Sequence, residues 1–317
     1  MLAEDKLLVK IAEMYYQENK TQSQIAKALG IHRTTISRLL KQSREEGIVQ
    51  ISIKYDKAGT YAIEKQLEKT FGLQKAIVVP TASDLERKQK DILLAQALAA
   101  YLKKLLHDDM TIGFSWGATL SAVASQIPEL NLSGIVCVPM IGGPSGRLIS
   151  DYHVNTITYE AAKKLHGIAL LIDSPAIPET KSLKEELLKN VFNQELIRLW
   201  DRLDVAIMGV GSPLLKDNQT WQDFYGQDII ENIKEKDIVG DVVSRFYNIH
   251  GEHIANELDE RLIGIAADKL RNCPYRIGVA ESKDKVAALI GALRGGYVNV
   301  LVTTEETARG ILDTLPQ

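Results

Sequence analysis

The sequence predicts an α/β protein in two parts, an N-terminal helix-turn-helix followed by a larger domain built on a mostly parallel β-sheet. Three observations carry this. Within TQSQIAKALGIHRTTISRLLKQSR (21–44), Ile25, Ala26 and Leu29 share one helical face and Ile36, Leu39 and Leu40 another, with Gly30 between the two segments. From residue 60 onward, short β-branched runs alternate with segments of helical period, the pattern of a parallel sheet covered by helices on both faces. The chain has 317 residues, 45% apolar and 25% charged, enough for about two ordinary globular domains.

Taken in order, residues 7–16 read as a first helix with Leu8, Ile11, Ala12 and Tyr15 on the face that would close over the helix-turn-helix. Gly30 sits where a sharp turn needs a positive φ, and Ala26 is small where the second helix must cross closely. After Glu45-Glu46-Gly47, IVQISI (48–53) alternates as a strand does, either a wing beside the second helix or the start of a link. A hinge at 57–60 divides the chain into domains 1–57 and 58–317. Beyond it, helices are expected over 61–71, 84–106, 117–126, 153–166, 183–200, 283–293 and 305–312. Strands are expected over 76–79, 111–114, 135–138, 169–172, 206–210, 276–279 and 298–302. Residues 218–236 fit neither pattern.

Charge gives the first part a function. Between Lys20 and Arg44 there are six basic residues and no Asp or Glu, although the whole chain carries a net charge of −3 and a pI near 6.1. A local basic window of this kind matches double-stranded DNA, which rewards phosphate contacts with counterion release. The plainer alternative is a helical hairpin with a solvated charged face. If the second helix enters the major groove, Ile36, Leu39 and Leu40 face inward. Gln22, Arg33, Thr34, Thr35, Ser37, Arg38, Lys41 and Arg44 are then the DNA-contact candidates. One such module reads few base pairs, so a homo-oligomer, dimer or tetramer, is expected.

The composition excludes other classes. Cys137 and Cys273 have no short spacing and no partner His pattern, so neither structural zinc nor a disulfide framework is expected, and no metal or cofactor is assigned. MLAEDKLLVK is not a signal peptide, and no apolar run reaches the ~18 residues of a membrane helix, so a cytoplasmic protein without a membrane partner is expected.

The second part carries Gly-rich junctions at three strand ends: GFSWGAT (113–119), GGPSG (142–146) and GVGS (209–212). Ligands of open α/β sheets bind at such junctions, where glycines let the backbone approach an anion and the following helix N-terminus favours negative charge. The effector-site candidates are Gly113, Ser115, Trp116, Gly117, Thr119, Gly142, Gly143, Gly209 and Gly211. Lys285, near the start of a helix, adds a cation, or is a solvated first-turn lysine. Asp241 holds sugar hydroxyls or caps a turn. His153 and Asn155 open a helix as ligand-facing groups or as structural ones. GFSWG has the G-x-S-x-G form of a nucleophile elbow, but no acid and His complete it and no catalytic residue is assigned. The rival is a sugar-phosphate isomerase or deaminase with an appended module, which would have no use for the acid-free basic helix.

At this point the chain resembles a family, the SorC/DeoR-type bacterial transcriptional regulators with a C-terminal sugar-binding domain. The residues are YYQENKTQSQIAKALGIHRTTISRLL with GIVQISI, then GFSWG, Gly142-Gly143 with Asn155-Thr156-Ile157, Gly209-Val210-Gly211, GDVVSRFYNIHG, and the run 279–312. The resemblance implies a winged helix-turn-helix joined to a Rossmann-like domain similar to sugar-phosphate isomerases and deaminases. It implies a phosphorylated sugar or polyol as effector, and oligomers on operator DNA. It makes Ser115, Gly117 and Thr119 phosphate-loop residues, Lys285 the phosphate-binding lysine, and Asp241 and His153 sugar-facing groups. Two positions depart from it. His32 stands where relatives often have a Ser cap. Ile141 precedes the glycine pair where some carry Lys or Arg, so that loop supplies neither a Schiff base nor a second phosphate clamp, and a monophosphate is expected over a diphosphate.

Overall fold

The computed structural model describes residues 3–49, 59–82, 85–144, 149–214, 224–225 and 237–315. Contacts divide the chain into two compact units, Met1–Lys57 and Ala58–Gln317.

In the first unit, α1 (Ala3–Ala12) runs on through a π-helical turn, Glu13–Gln17, and is followed by α2 (Gln22–Leu29) and α3 (Arg33–Glu45). Thr21 starts α2 with a reciprocal capping box to Gln24. Gly30, at φ 65°, ends it in the left-handed conformation that glycine adopts without a Cβ penalty. His32 precedes α3 with no side-chain cap. Leu8, Ile11, Met14, Ile25, Ile36, Leu39 and Leu40 close the core. Of the expected wing strand, Ile48 and Val49 form a bend after α3, and the remainder lies outside the described residues.

The second unit begins with α4 (Tyr61–Phe71), β1 (Lys75–Val79), α5 (Arg87–Leu105), β2 (Thr111–Phe114), α6 (Ala118–Gln126) and β3 (Val136–Pro139). It continues through α7 (Val154–Lys164), β4 (Ile168–Ala169), α8 (Lys181–Lys189), α9 (Val191–Leu199) and β5 (Val205–Gly209). A hairpin of β6 (Gly240–Val242) and β7 (Arg245–Tyr247) comes next, then α10 (Glu257–Arg261) and α11 (Ala267–Asn272). The unit ends with β8 (Tyr275–Val279), α12 (Val286–Arg294), β9 (Val300–Thr304) and α13 (Glu305–Asp313).

Among the described residues seven strands form one all-parallel sheet in the order β1-β9-β8-β5-β2-β3-β4. Strand alternation sends its side chains into two cores. Val205, Ile207, Val300 and Val302 pack with Leu94, Leu98 and Leu102 of α5 and Val123 of α6. Ala206, Met208 and Leu301 pack on the opposite face with Ile63 and Leu67 of α4, Leu289 and Leu293 of α12, and Ile311 of α13. From β2 the chain moves outward to β3, whereas β5 is followed across the sheet by β8 on its other side. The carboxyl ends of β2 and β5 therefore flank a topological switch point, where open α/β sheets bind ligands.

Several boundaries differ from the sequence reading. Asn190 splits the helix expected over 183–200, because its side chain accepts from the Phe192 N–H and starts a new helix. The strand expected over 169–172 is reduced to Ile168–Ala169, because the Asn155 amide takes both backbone groups of Ile172 at 3.0 Å. The hairpin and α10–α11 have no counterpart in the predicted elements.

Candidate functional site

Four loops of the second unit converge at the carboxyl ends of β2, β5 and β8. After β2, the Ser115 N–H donates to Ile207 O (3.1 Å) and Ser115 Oγ accepts from the Gly209 N–H (3.3 Å), tying the first Gly-rich loop to the third. Gly117 then turns into α6 at φ 116°, ψ 171°, backbone space open to glycine and strained for other residues, with no atom within 4 Å of where a Cβ would sit. Its N–H donates to Tyr152 O, so the donors left for a ligand are the next amides of the first turn. Thr119, in that turn, donates its hydroxyl to the buried Asp91 at 2.8 Å. After β5, Gly211 forms a two-way backbone bridge with Asp241 of the hairpin (2.9 and 3.3 Å).

The fourth loop, between β8 and α12, carries Lys285. A 3-10 turn, Lys283–Lys285, precedes α12, and Ser282 before it lies at φ 126°. Lys285 is 6% exposed, and among the described residues its ammonium makes no hydrogen bond or ion pair. Burial, and after it the nearby Arg87, push it down to about 8, against the pull of Asp91, Glu281 and Asp241. Burial likewise raises Asp91 and Glu281. Lys285 is thus not a solvated first-turn residue but an unpaired buried cation facing acidic neighbours, an arrangement that folding energetics disfavours unless a counter-anion completes it.

In the first unit α3 presents one polar face. Arg33, Thr34, Ser37, Arg38, Lys41 and Arg44 are exposed, Thr35 is half-buried, and Ile36, Leu39, Leu40 and Ser43 are buried. Gln22 is half-buried at the start of α2. Two of the candidates already hold partners at the far end of α3: Lys41 lies 3.5 Å from Glu45, and Arg44 donates to the Tyr16 hydroxyl at 3.0 Å.

Comparison with known proteins gives these two parts an identity. Residues 55–313 match a sugar-binding domain family and residues 3–51 a homeodomain-like domain. The sorbitol operon regulator of Klebsiella pneumoniae is 41% identical over 308 residues, 97% of this chain and 98% of the relative. The chain belongs to the SorC family of sugar-binding transcriptional regulators. The deoxyribonucleoside regulator of Bacillus subtilis is 29% identical over 98% of both chains. The crystal structure of full-length SorC from K. pneumoniae superposes with a TM-score of 0.78 at 40% identity, covering 97% of this chain and 98% of that one. The protein is accordingly a transcriptional regulator of the sugar-operon class. Among its described residues no helix is long and apolar enough to cross a membrane, and no group of three His, Cys, Asp or Glu could hold a metal.

Within this regulator the other candidates surround the converging loops. Gly113 lies in β2, where a Cβ would come 2.7 Å from Met140. Gly142 and Gly143 donate their amides to Ile263 O and Ser174 O, and a Cβ would strike the Pro175–Ala176 backbone or His153, so close packing explains both. His153 caps α7 by accepting the Asn155 N–H at Nδ1, which leaves Nε2 directed toward Gly143; burial lowers its pKa. Both polar atoms of the Asn155 side chain are engaged by Ile172. Asp241 Oδ2 accepts from the Ser244 N–H (3.1 Å) and the Tyr225 hydroxyl (3.2 Å), and so pins the β6–β7 turn. Trp116 lies against Phe224, with ring centroids 4.5 Å apart, and Phe224 in turn meets Tyr225, giving the pocket an aromatic side.

The residues the sequence reading missed are Asp91, Glu281 and Tyr225. Asp91 was findable: it falls on the buried stripe of α5 with Leu94, Ala95, Leu98 and Leu102, where a carboxylate has no packing reason to be.

Proposed function

We propose that the regulator represses or activates a carbohydrate-utilisation operon through double-stranded operator DNA read by α3. A phosphorylated sugar or polyol bound at the carboxyl ends of β2, β5 and β8 controls it. The 1–57 unit binds DNA, and the 58–317 unit binds effector and holds a homo-oligomer together, so that two DNA-reading modules act at once. The relative's sorbitol operon makes a hexitol or hexose phosphate the first class to try.

The observation that carries the effector reading is Lys285, buried and unpaired, together with the free amides of the α6 first turn behind Gly117. A phosphate there would receive a point charge from Lys285 and directional donors from α6. Ser115 and Gly209 hold the loop in shape, and the Trp116–Phe224 pair supplies an apolar wall. His153 Nε2 lies beside Gly143 and would meet the sugar. The relatives are transcriptional regulators, so the pocket is read as a sensor, with no catalytic residue assigned.

The test is calorimetry with sorbitol 6-phosphate, a panel of hexose phosphates and their unphosphorylated parents, on wild type and Lys285→Ala. The phosphorylated member should bind more tightly than its parent, and the variant should lose that difference. Equal affinity for both members, or no loss in the variant, would remove phosphate from this reading.

A further inference from the structure

We propose that Arg87 is a second cationic arm of the effector site and closes on the same phosphate as Lys285. The proposal rests on the phosphate reading above and adds a residue that reading does not contain.

The first turn of α5 lies between the two loops that build the pocket. Asp91, one helical turn beyond Arg87 and on the same face, accepts the hydroxyl of Thr119 in the first turn of α6. Lys90 reaches the other way, lying 3.8 Å from Glu281, four residues before Lys285, and 3.9 Å from Glu306 of α13. Arg87 therefore projects from a turn anchored on one side to the phosphate loop and on the other to the lysine loop. It is exposed, and among the described residues its guanidinium has no hydrogen bond or ion pair.

The charges around the pocket then divide simply. Lys90 is occupied by Glu281 and Glu306, Asp91 holds Thr119, and Asp241 holds Tyr225 and Ser244. Among the described residues, Lys285 within and Arg87 at the rim have no direct partner. They are close enough that Arg87 opposes the Lys285 charge, as it opposes loss of charge from Asp91 and Glu281. A sugar hydroxyl cannot relieve a repulsion between two cations. A dianionic phosphate bridging them does, and the planar guanidinium supplies paired donors that a lysine cannot.

The experiment uses full-length protein and reads stabilisation by sorbitol 6-phosphate, inorganic phosphate and sorbitol at matched ionic strength, for wild type, Arg87→Ala, Arg87→Lys and Lys285→Ala. Arg87 is exposed, so its variants should melt like wild type without ligand. Arg87→Ala should weaken both phosphate compounds by roughly ten- to a hundredfold, the size of a lost charged hydrogen bond. Sorbitol should be unaffected, and Arg87→Lys should keep part of the affinity. Wild-type affinity in Arg87→Ala with loss in Lys285→Ala overturns the second arm and leaves the phosphate reading intact. Equal weakening of sorbitol and its phosphate in Arg87→Ala places the guanidinium on the sugar and also overturns the proposal. No stabilisation of wild type by either phosphate compound removes the phosphate reading and the second arm together.

Discussion

Replacing Lys285 by Met should stabilise the ligand-free regulator while abolishing its response to effector. The ammonium, unpaired among the described residues, is buried to 6% exposure and held at about 8 against an ordinary value of 10.5. That difference costs the folded state about 3 kcal/mol wherever the unfolded chain and the folded chain are both protonated. Met has similar length and no charge, so most of the cost disappears and packing is kept, for an expected net gain of about 1–3 kcal/mol at pH 7. For a unit of this size that is a rise of roughly 2–10 °C in Tm. The folded pKa lies below the unfolded one, so the cost is complete below pH 8, shrinks as the folded lysine loses its proton, and is gone near pH 10.5. The advantage of Lys285→Met should therefore be largest at pH 7 and close between pH 8 and 10.5. Thermal melts of both proteins across that range, with and without phosphosugar, make the comparison. A variant that melts below wild type at pH 7, or a gap that does not change with pH, would refute the account of Lys285 as an uncompensated buried charge.

Two further outcomes concern DNA and assembly. Arg38→Ala should weaken operator binding by about 1–3 kcal/mol if the side chain reads a base edge, or weaken all sequences alike with a shallower salt slope if it touches phosphate. Unchanged affinity in the Arg33→Ala/Arg38→Ala double variant, in a folded protein, would remove α3 as the reading helix. Light scattering on residues 60–317 should show a homo-oligomer at micromolar concentration, and a monomer with and without ligand would overturn assembly through this unit.

How much of this was legible in the sequence depended on whether the signal was local. The helix-turn-helix was readable because its determinants lie within one stretch: the apolar spacing, and Gly30, which the structure places at φ 65°. The central strands were readable because they are buried on both faces and run apolar throughout. The edge strand β4 was overestimated, because a side chain seventeen residues away, Asn155, satisfies Ile172. The β6–β7 hairpin was missed for a related reason. Its turn residues Val243 and Ser244 sit at φ 49° and 61° without a glycine, and the turn is held by Asp241 and Tyr225 rather than by its own propensity. At the candidate site, residue types pointed to Lys285 and the loops, whereas the close packing of Gly142 and Gly143 and the Asn155–Ile172 pair depend on residues distant in sequence.

The β6–β7 hairpin and the β8–α12 loop carry several costly features of this unit. Val243 and Ser244 are left-handed without glycine, Ser282 lies at φ 126°, and the Tyr247 hydroxyl is buried beside Gly240 without a partner among the described residues. Lys285 is buried with no counter-ion among the described residues. Each costs on the order of 1–3 kcal/mol. A site destabilised in this way gives an effector more to do than fill space, because an anion that neutralises Lys285 changes the relative stability of any two arrangements in which that lysine is differently placed. Regulation requires that difference, since a ligand bound equally well in both arrangements shifts nothing. It also fixes a reciprocal consequence. If effector lowers operator affinity by a given factor, operator DNA must lower effector affinity by the same factor. Calorimetry of the phosphosugar with and without saturating operator measures that factor, and an effector affinity indifferent to DNA would show that the pocket, however strained, is not coupled to the DNA-reading unit.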